Sequence, residues 1–223
     1  MENDDRMVCN RFMEAANNCY YRNVPTSTDF LDIYKQNLFN TVIRELPPVQ
    51  YRFDGGYELA ERKVIMFLPQ ESEISDLPFL TLKVTPRNLH FTEKLNHRDY
   101  LGSIMGLGIK RDKVGDILLY DNCAYIFCMK SIAEYLTDNL LKIRNTYVTV
   151  TEISNEEFIY EPSYEVIKGS VASLRLDAVI ALGFNGSRSH ITSYIIDGKV
   201  SVNGRIITCL LYTSPSPRDS TSS

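Results

Sequence analysis

Residues 173–205 read SLRLDAVIALGFNGSRSHITSYIIDGKVSVNGR. Two short helices are legible in them. Ser173 is the expected cap of a first helix over 173–183, with Leu176, Val179 and Ile180 facing inward. Ser187 is the expected cap of a second over 187–197, with Ile191, Tyr194 and Ile195 inward and Gly198 as its stop. Val200 and Val202 alternate as a strand into Asn203-Gly204, the strongest short-range hairpin signal, and 205–208 begins the return strand. The unit is a helix, a turn, a second helix and a hairpin.

The basic residues fall at particular places on this frame. Arg175 lies at the first turn of the first helix, Arg188 at the first turn of the second, and Lys199 just past its end. The start of a helix offers unsatisfied backbone N–H groups and a positive dipole end, which suits phosphate oxygens. Ser187, Arg188 and Ser189 therefore form a candidate phosphate seat, the serines supplying hydroxyls and the arginine a fork of donors. Lys199 and Arg205 extend a positive strip along the hairpin. Residues 168–208 carry Lys168, Arg175, Arg188, Lys199 and Arg205 against Asp177 and Asp197, while the whole 223-residue chain has a net charge of −4. A basic module sits on an acidic carrier, and a polyanion responds to that local field rather than to the total.

The stretch is similar to the S4 RNA-binding domain. Arg175-Leu176-Asp177, Ser187-Arg188, Gly198, Val200 and Val202-Asn203-Gly204 match that family's pattern of RLD, SR, helix and G-x-V-x-VNG in order and at its spacings. The sequence departs from the pattern at His190-Ile191-Thr192, where the family usually places a small alanine. The resemblance implies a module that grips structured RNA by backbone and shape, mainly ribosomal or transfer RNA. The domain's further strands are not found before the tail, so the module is read as incomplete.

Upstream, 5–22 and 29–45 carry helical periodicity, the second with Phe30, Ile33, Tyr34, Leu38, Val42 and Ile43 on one face, a Ser27-Thr28 start and Pro47-Pro48 after it. Strands are expected at 49–53, 63–68 and 79–85. A helix capped by Asn96, with Asp99 in its first turn, should end at Gly106 and Gly108. A hairpin is expected from 115–119 and 124–128 around Tyr120-Asp121-Asn122, then a helix over 131–144 opened by a Ser131–Glu134 capping box, then a strand at 147–150. The order over 49–150 predicts helices packed on one sheet face. The fold class is α+β: an N-terminal helical segment (1–47), an α/β RNA-binding-like middle domain (48–160) and a partial S4 domain (168–208). Residues 209–223, CLLYTSPSPRDSTSS, lack periodicity and resemble an in-frame translation of a sequencing-library adaptor, so a disordered, artefactual tail is expected there.

TDFLD (28–32), GGYELAERK (55–63) and HRDYLGSIMGLGIKRDKVGDIL (97–118) resemble the YlmH-like S4-domain proteins of bacterial cell-division gene clusters. That resemblance implies a ribosome-associated RNA-binding role on the large ribosomal subunit, in the rescue of stalled complexes carrying peptidyl-tRNA. Lys110, Arg111 and Lys113 form a second basic cluster, a candidate RNA contact on the middle domain.

Little else in the chain supports chemistry. His97-Arg98-Asp99 opens like a kinase catalytic loop, but Ile104 stands where that loop needs asparagine, so these residues are read as a helix start. Gly102, Gly106 and Gly108 make no dinucleotide fingerprint, and the three histidines (90, 97, 190) are scattered. The five cysteines (9, 19, 123, 128, 209) contain no CxxC pair and read as buried free thiols, not metal ligands. An acidic N-terminus and the lack of a long apolar run argue for a cytoplasmic protein without a membrane partner. The expectation is a non-enzymatic RNA-binding protein with no cofactor and no DNA partner. The alternative is an RNA-modifying enzyme, a pseudouridine synthase or methyltransferase, targeted by its S4 module; a weaker third reading is a protein-interaction adaptor.

Overall fold

The computed structural model describes residues 3–72, 76–88, 94–120, 122–154, 158 and 165–209. Residues 210–223 of the expected tail (209–223) and Asp121 of the expected hairpin tip lie outside them. The chain is α+β and divides into two compact units at residue 160.

The first unit contains two antiparallel sheets. Helix α1 (Asn3–Arg22) and α2 (Ile33–Val42) cover a three-stranded sheet of order β1-β3-β2, formed by Thr26–Ser27, Val64–Leu68 and Gln50–Asp54. Every residue of β3, VIMFL, is buried. Its alternating side chains serve two cores. Ile65 and Phe67 pack with Phe12 and Phe39 of the helices, whereas Val64 and Met66 pack with Phe30, Phe79 and Phe127. A strand covered on both faces reads as a continuous apolar run, which is what the sequence shows. This overturns the expectation of a single sheet over 49–150. Strands β2 and β3 belong under the N-terminal helices.

The second sheet, of order β5-β6-β4-β8-β7, is built from Val114–Tyr120, Cys123–Met129, Phe79–Pro86, Thr146–Ile153 and Lys142–Ile143. Helices α3 (His97–Gly106) and α4 (Lys130–Asn139) cover one face over a core of Leu82, Val84, Ile104, Ile126, Leu136 and Val148. The start of α3 is as read: Asn96 accepts from the backbone of Arg98 and Asp99, and Asp99 returns a bond to Asn96.

Helices α2 and α4 have limits that differ from the reading. Helix α2 starts at Asp32, which accepts from Lys35 N at 2.8 Å. Thr28 N donates to Ile65 O and Leu31 bridges Lys63, so the Ser27-Thr28 segment is held at the sheet edge before the helix can begin. Helix α4 has no side-chain cap, because β6 runs straight into it through Met129 and Lys130 N donates to Pro78 O. It also ends at Asn139. Leu140 and Ile143, which prolong the apolar period, are buried from a loop and from β7 respectively.

Four cysteines are buried free thiols and Cys209 is exposed. Burial pushes the Cys128 thiol up to about 12, so it is protonated and inert at neutral pH. Among the described residues no helix is long and apolar enough to cross a membrane.

The second unit holds α5 (Leu176–Gly183), α6 (Arg188–Ile196) and a hairpin of β9 (Ser201–Val202) and β10 (Arg205–Ile206). Asn203 and Gly204 both have positive φ, 52° and 77°, the two-residue turn that matches strand twist. A β-branched side chain strains that backbone. Gly204→Val should destabilise this unit by about 1–3 kcal/mol. Hydrogen exchange of peptides spanning 176–206 checks it, with faster exchange there and unchanged protection in β4 and β6.

Candidate nucleic-acid interface

Helix α5 begins after Arg175, without the Ser173 cap expected from sequence. Its first turn carries Asp177, and this buried carboxylate organises the surface. Arg175 Nε donates to Asp177 Oδ1 at 3.0 Å. Arg188 donates to Oδ2 through Nε at 3.2 Å and through its terminal nitrogen at 2.9 Å. Arg175 and Arg188, one at the start of α5 and one at the start of α6, are thereby clamped by one acid. The two arginines keep 41% and 56% of their side chains exposed, against 4% for the aspartate. The Arg175 hydrogen bond, seconded by Arg188, holds the Asp177 carboxyl below its ordinary range despite burial.

Helix α6 starts as read. Ser187 accepts from His190 N at 3.3 Å and its hydroxyl lies 3.2 Å from that of Ser189. Arg188 follows the cap directly, at the helix end whose first-turn N–H groups and positive dipole favour an anion. At the other end, Lys199 Nζ pairs with Asp197 at 3.0 Å and lies 5.4 Å from the centre of the Tyr194 ring. Arg205 is exposed on the hairpin opposite Val202. The sequence singled out Arg175, Ser187, Arg188, Ser189, Lys199 and Arg205, and the structure places all six in this unit. It missed Asp177 as their organiser. The one acid between two helix starts in a basic stretch was the signal.

The second basic cluster is arranged differently. Arg111 is half-buried and donates to the carbonyls of Val114 and Gly115, and burial followed by the neighbouring Arg62 charge lowers its pKa to about 10. Lys113 Nζ pairs with Asp29 at 2.6 Å. Of the three, Lys110 is exposed. Arg62 completes the junction. It donates to the carbonyls of Val114 and Phe30, each at 3.0 Å, and of Arg111 at 3.3 Å. Asp116 accepts from Tyr57, Glu61 N and Arg62 N. The three stretches that carry the YlmH-like resemblance thus meet at one hydrogen-bonded knot.

Comparison with known proteins finds matches for both units. Residues 83–157 match the family described as "Putative RNA-binding domain in YlmH", and residues 174–208 match the S4 domain. Over 184 residues the chain is 29% identical to "Ribosome-associated protein quality control protein P2" of Bacillus subtilis (strain 168), a match covering 81% of this chain and 70% of that protein. Its fold resembles that of the cell division protein ylmH from Streptococcus pneumoniae, with a TM-score of 0.57 and 22% identity, covering 72% of this chain and 97% of the other.

Proposed function

We infer that this YlmH-like S4-domain protein binds structured RNA in a ribosome-associated role, holding the sugar–phosphate backbone at the start of α6. The observation that carries the reading is the Arg175–Asp177–Arg188 clamp beside the Ser187 cap. It fixes two exposed guanidinium groups in advance, so less ordering remains to be lost on binding. Arg175, Ser187, Arg188, Ser189, Lys199 and Arg205 are the proposed contacts of this module. Lys110 is an additional cation on the middle domain; Arg111 and Lys113 are assigned to holding the fold. The relative's name, with its ribosome-associated protein quality control, supports a ribosome-associated role; the proposed ligand is ribosomal RNA of the large subunit or transfer RNA bound there. The role is one of binding, not catalysis, and is exercised in the cytoplasm.

Filter binding of the full-length chain to a transfer RNA and to a large-subunit ribosomal RNA fragment, over a salt series, tests this. Lys199→Ala and Arg188→Ala should each weaken binding and lower the slope of log affinity against log salt by about one. Unchanged slopes in both variants overturn the proposed strip.

A further inference from the structure

The five-stranded sheet has a second face, and the register of its strands shows what stands on it. Along β8, Thr146, Val148 and Val150 point into the helix-covered core, while Tyr147, Thr149 and Thr151 are exposed. Tyr147 pairs with Lys142, Thr149 with Thr85, and Thr151 with Lys83. Directly opposed residues of antiparallel strands share a face, so these six form one strip. Lys142 Nζ lies 5.3 Å from the centre of the Tyr147 ring. Beyond them Arg87 donates through Nε to Val148 O at 3.1 Å, and its backbone N–H reaches Tyr147 O. Arg87, Asn88, Asn145, Thr146 and Tyr147 line an open cleft of about 500 Å³ at this end. The opposite end of the same face is closed by Phe158 against Tyr125 and Phe127.

Charge is one-sided at the Tyr147 end of this face. Strip and cleft together carry Lys83, Arg87 and Lys142 and not one carboxylate among their residues. The acids of this sheet and its helices stand elsewhere. Glu152 opposes Leu82 on the helix side, Glu134 and Asp138 are exposed on α4, Asp99 meets Arg144, and Asp116, at the far strand β5, is taken up by Tyr57, Glu61 N and Arg62 N. In a chain of net charge −4, a sheet face with three cations, an exposed tyrosine and three threonine hydroxyls is complementary to a polyanion with flat bases. A gently twisted sheet offers such bases a stacking platform, and paired RNA does not present them.

We propose that this face, centred on Tyr147 with Lys142, Arg87 and Lys83, seats an unpaired RNA segment, with one base stacked on the tyrosine. The inference rests on RNA being the ligand of this protein, but it assigns a separate site and a different RNA form from those read at α6.

The test uses the full-length chain and two probes, a fluorescein-labelled twelve-nucleotide oligouridine and a stable RNA hairpin, followed by anisotropy. Tyr147→Ala should weaken oligouridine binding roughly tenfold and Tyr147→Phe should restore it, because the ring and not the hydroxyl is the platform. Lys142→Ala combined with Arg87→Ala should weaken it further and flatten its salt dependence. Circular dichroism melts of Tyr147→Ala should match the wild type, since that side chain is 60% exposed. Lys199→Ala should weaken the hairpin and leave oligouridine unchanged. Oligouridine binding that survives Tyr147→Ala, or that is absent from the wild type, overturns the proposal and leaves the face to a protein partner. Loss of hairpin binding in Lys199→Ala is read independently, so failure here is distinguishable from failure at α6.

Discussion

Arg62→Ala is expected to lower the stability of the N-terminal unit by about 3 kcal/mol, a fall of roughly 6–12 °C in its thermal midpoint. The half-buried guanidinium ties Phe30 before α2 to Val114 and Arg111 before β5. Burial lowers its pKa, and Asp32, Asp116 and Asp112 oppose that shift, so the group remains charged. Alanine leaves the Phe30 and Arg111 carbonyls without this donor and leaves the carboxylates facing Arg111 alone. Arg111 already donates through Nη1 to Val114 and Gly115. Arg62→Lys should recover only part of the loss, since an ammonium cannot span three carbonyls in one plane. Differential scanning calorimetry checks the pair. A midpoint within about 2 °C of the wild type for Arg62→Ala would show that the junction is held by the Phe30–Phe79–Phe127 packing instead.

That junction also marks where sequence reading stops. Features set by near neighbours were legible: the Asn96 cap of α3, the Ser187 cap, and the Asn203-Gly204 turn. Each depends on residues within three positions. The α4 limits failed because Leu140 and Ile143 are buried for tertiary reasons, and periodicity does not distinguish a helix face from a strand that returns to the same core. The sheet partition failed for a related cause. VIMFL is apolar at every position, and such a run does not say which two layers it lies between. The charges were hardest to place. Lys110, Arg111 and Lys113 look alike in sequence, yet Lys113 finds Asp29 far back along the chain and Arg111 turns inward on carbonyls. Charge spacing says where a basic residue stands only when its partner is near in sequence, as Asp177 is for Arg175 and Asp197 for Lys199.

Asp177→Asn should have its largest effect there, and the effect depends on pH. The wild-type carboxylate accepts from both arginines, one on each oxygen. Its folded pKa lies below the ordinary value of 3.8. The stabilisation is therefore fully present above that value and is lost as pH falls through the lower folded pKa. An amide keeps one acceptor oxygen and turns two hydrogens toward a guanidinium. Arg175 and Arg188 cannot both remain bound, and about 1–3 kcal/mol of local stability goes with the broken charge-assisted bonds, discounted because both arginines can hydrate. Hydrogen exchange of α5 and α6 in the full chain should then quicken at pH 7 and lose most of its wild-type acid dependence. RNA affinity should fall with it, although the substitution removes a negative charge from the proposed phosphate-binding surface. Simple electrostatics predicts the opposite sign, tighter binding by one extra net positive charge. Weaker binding identifies Asp177 as the group that positions the arginines. Tighter binding with unchanged exchange would mean that each arginine finds phosphate alone, and the clamp would have no part in recognition.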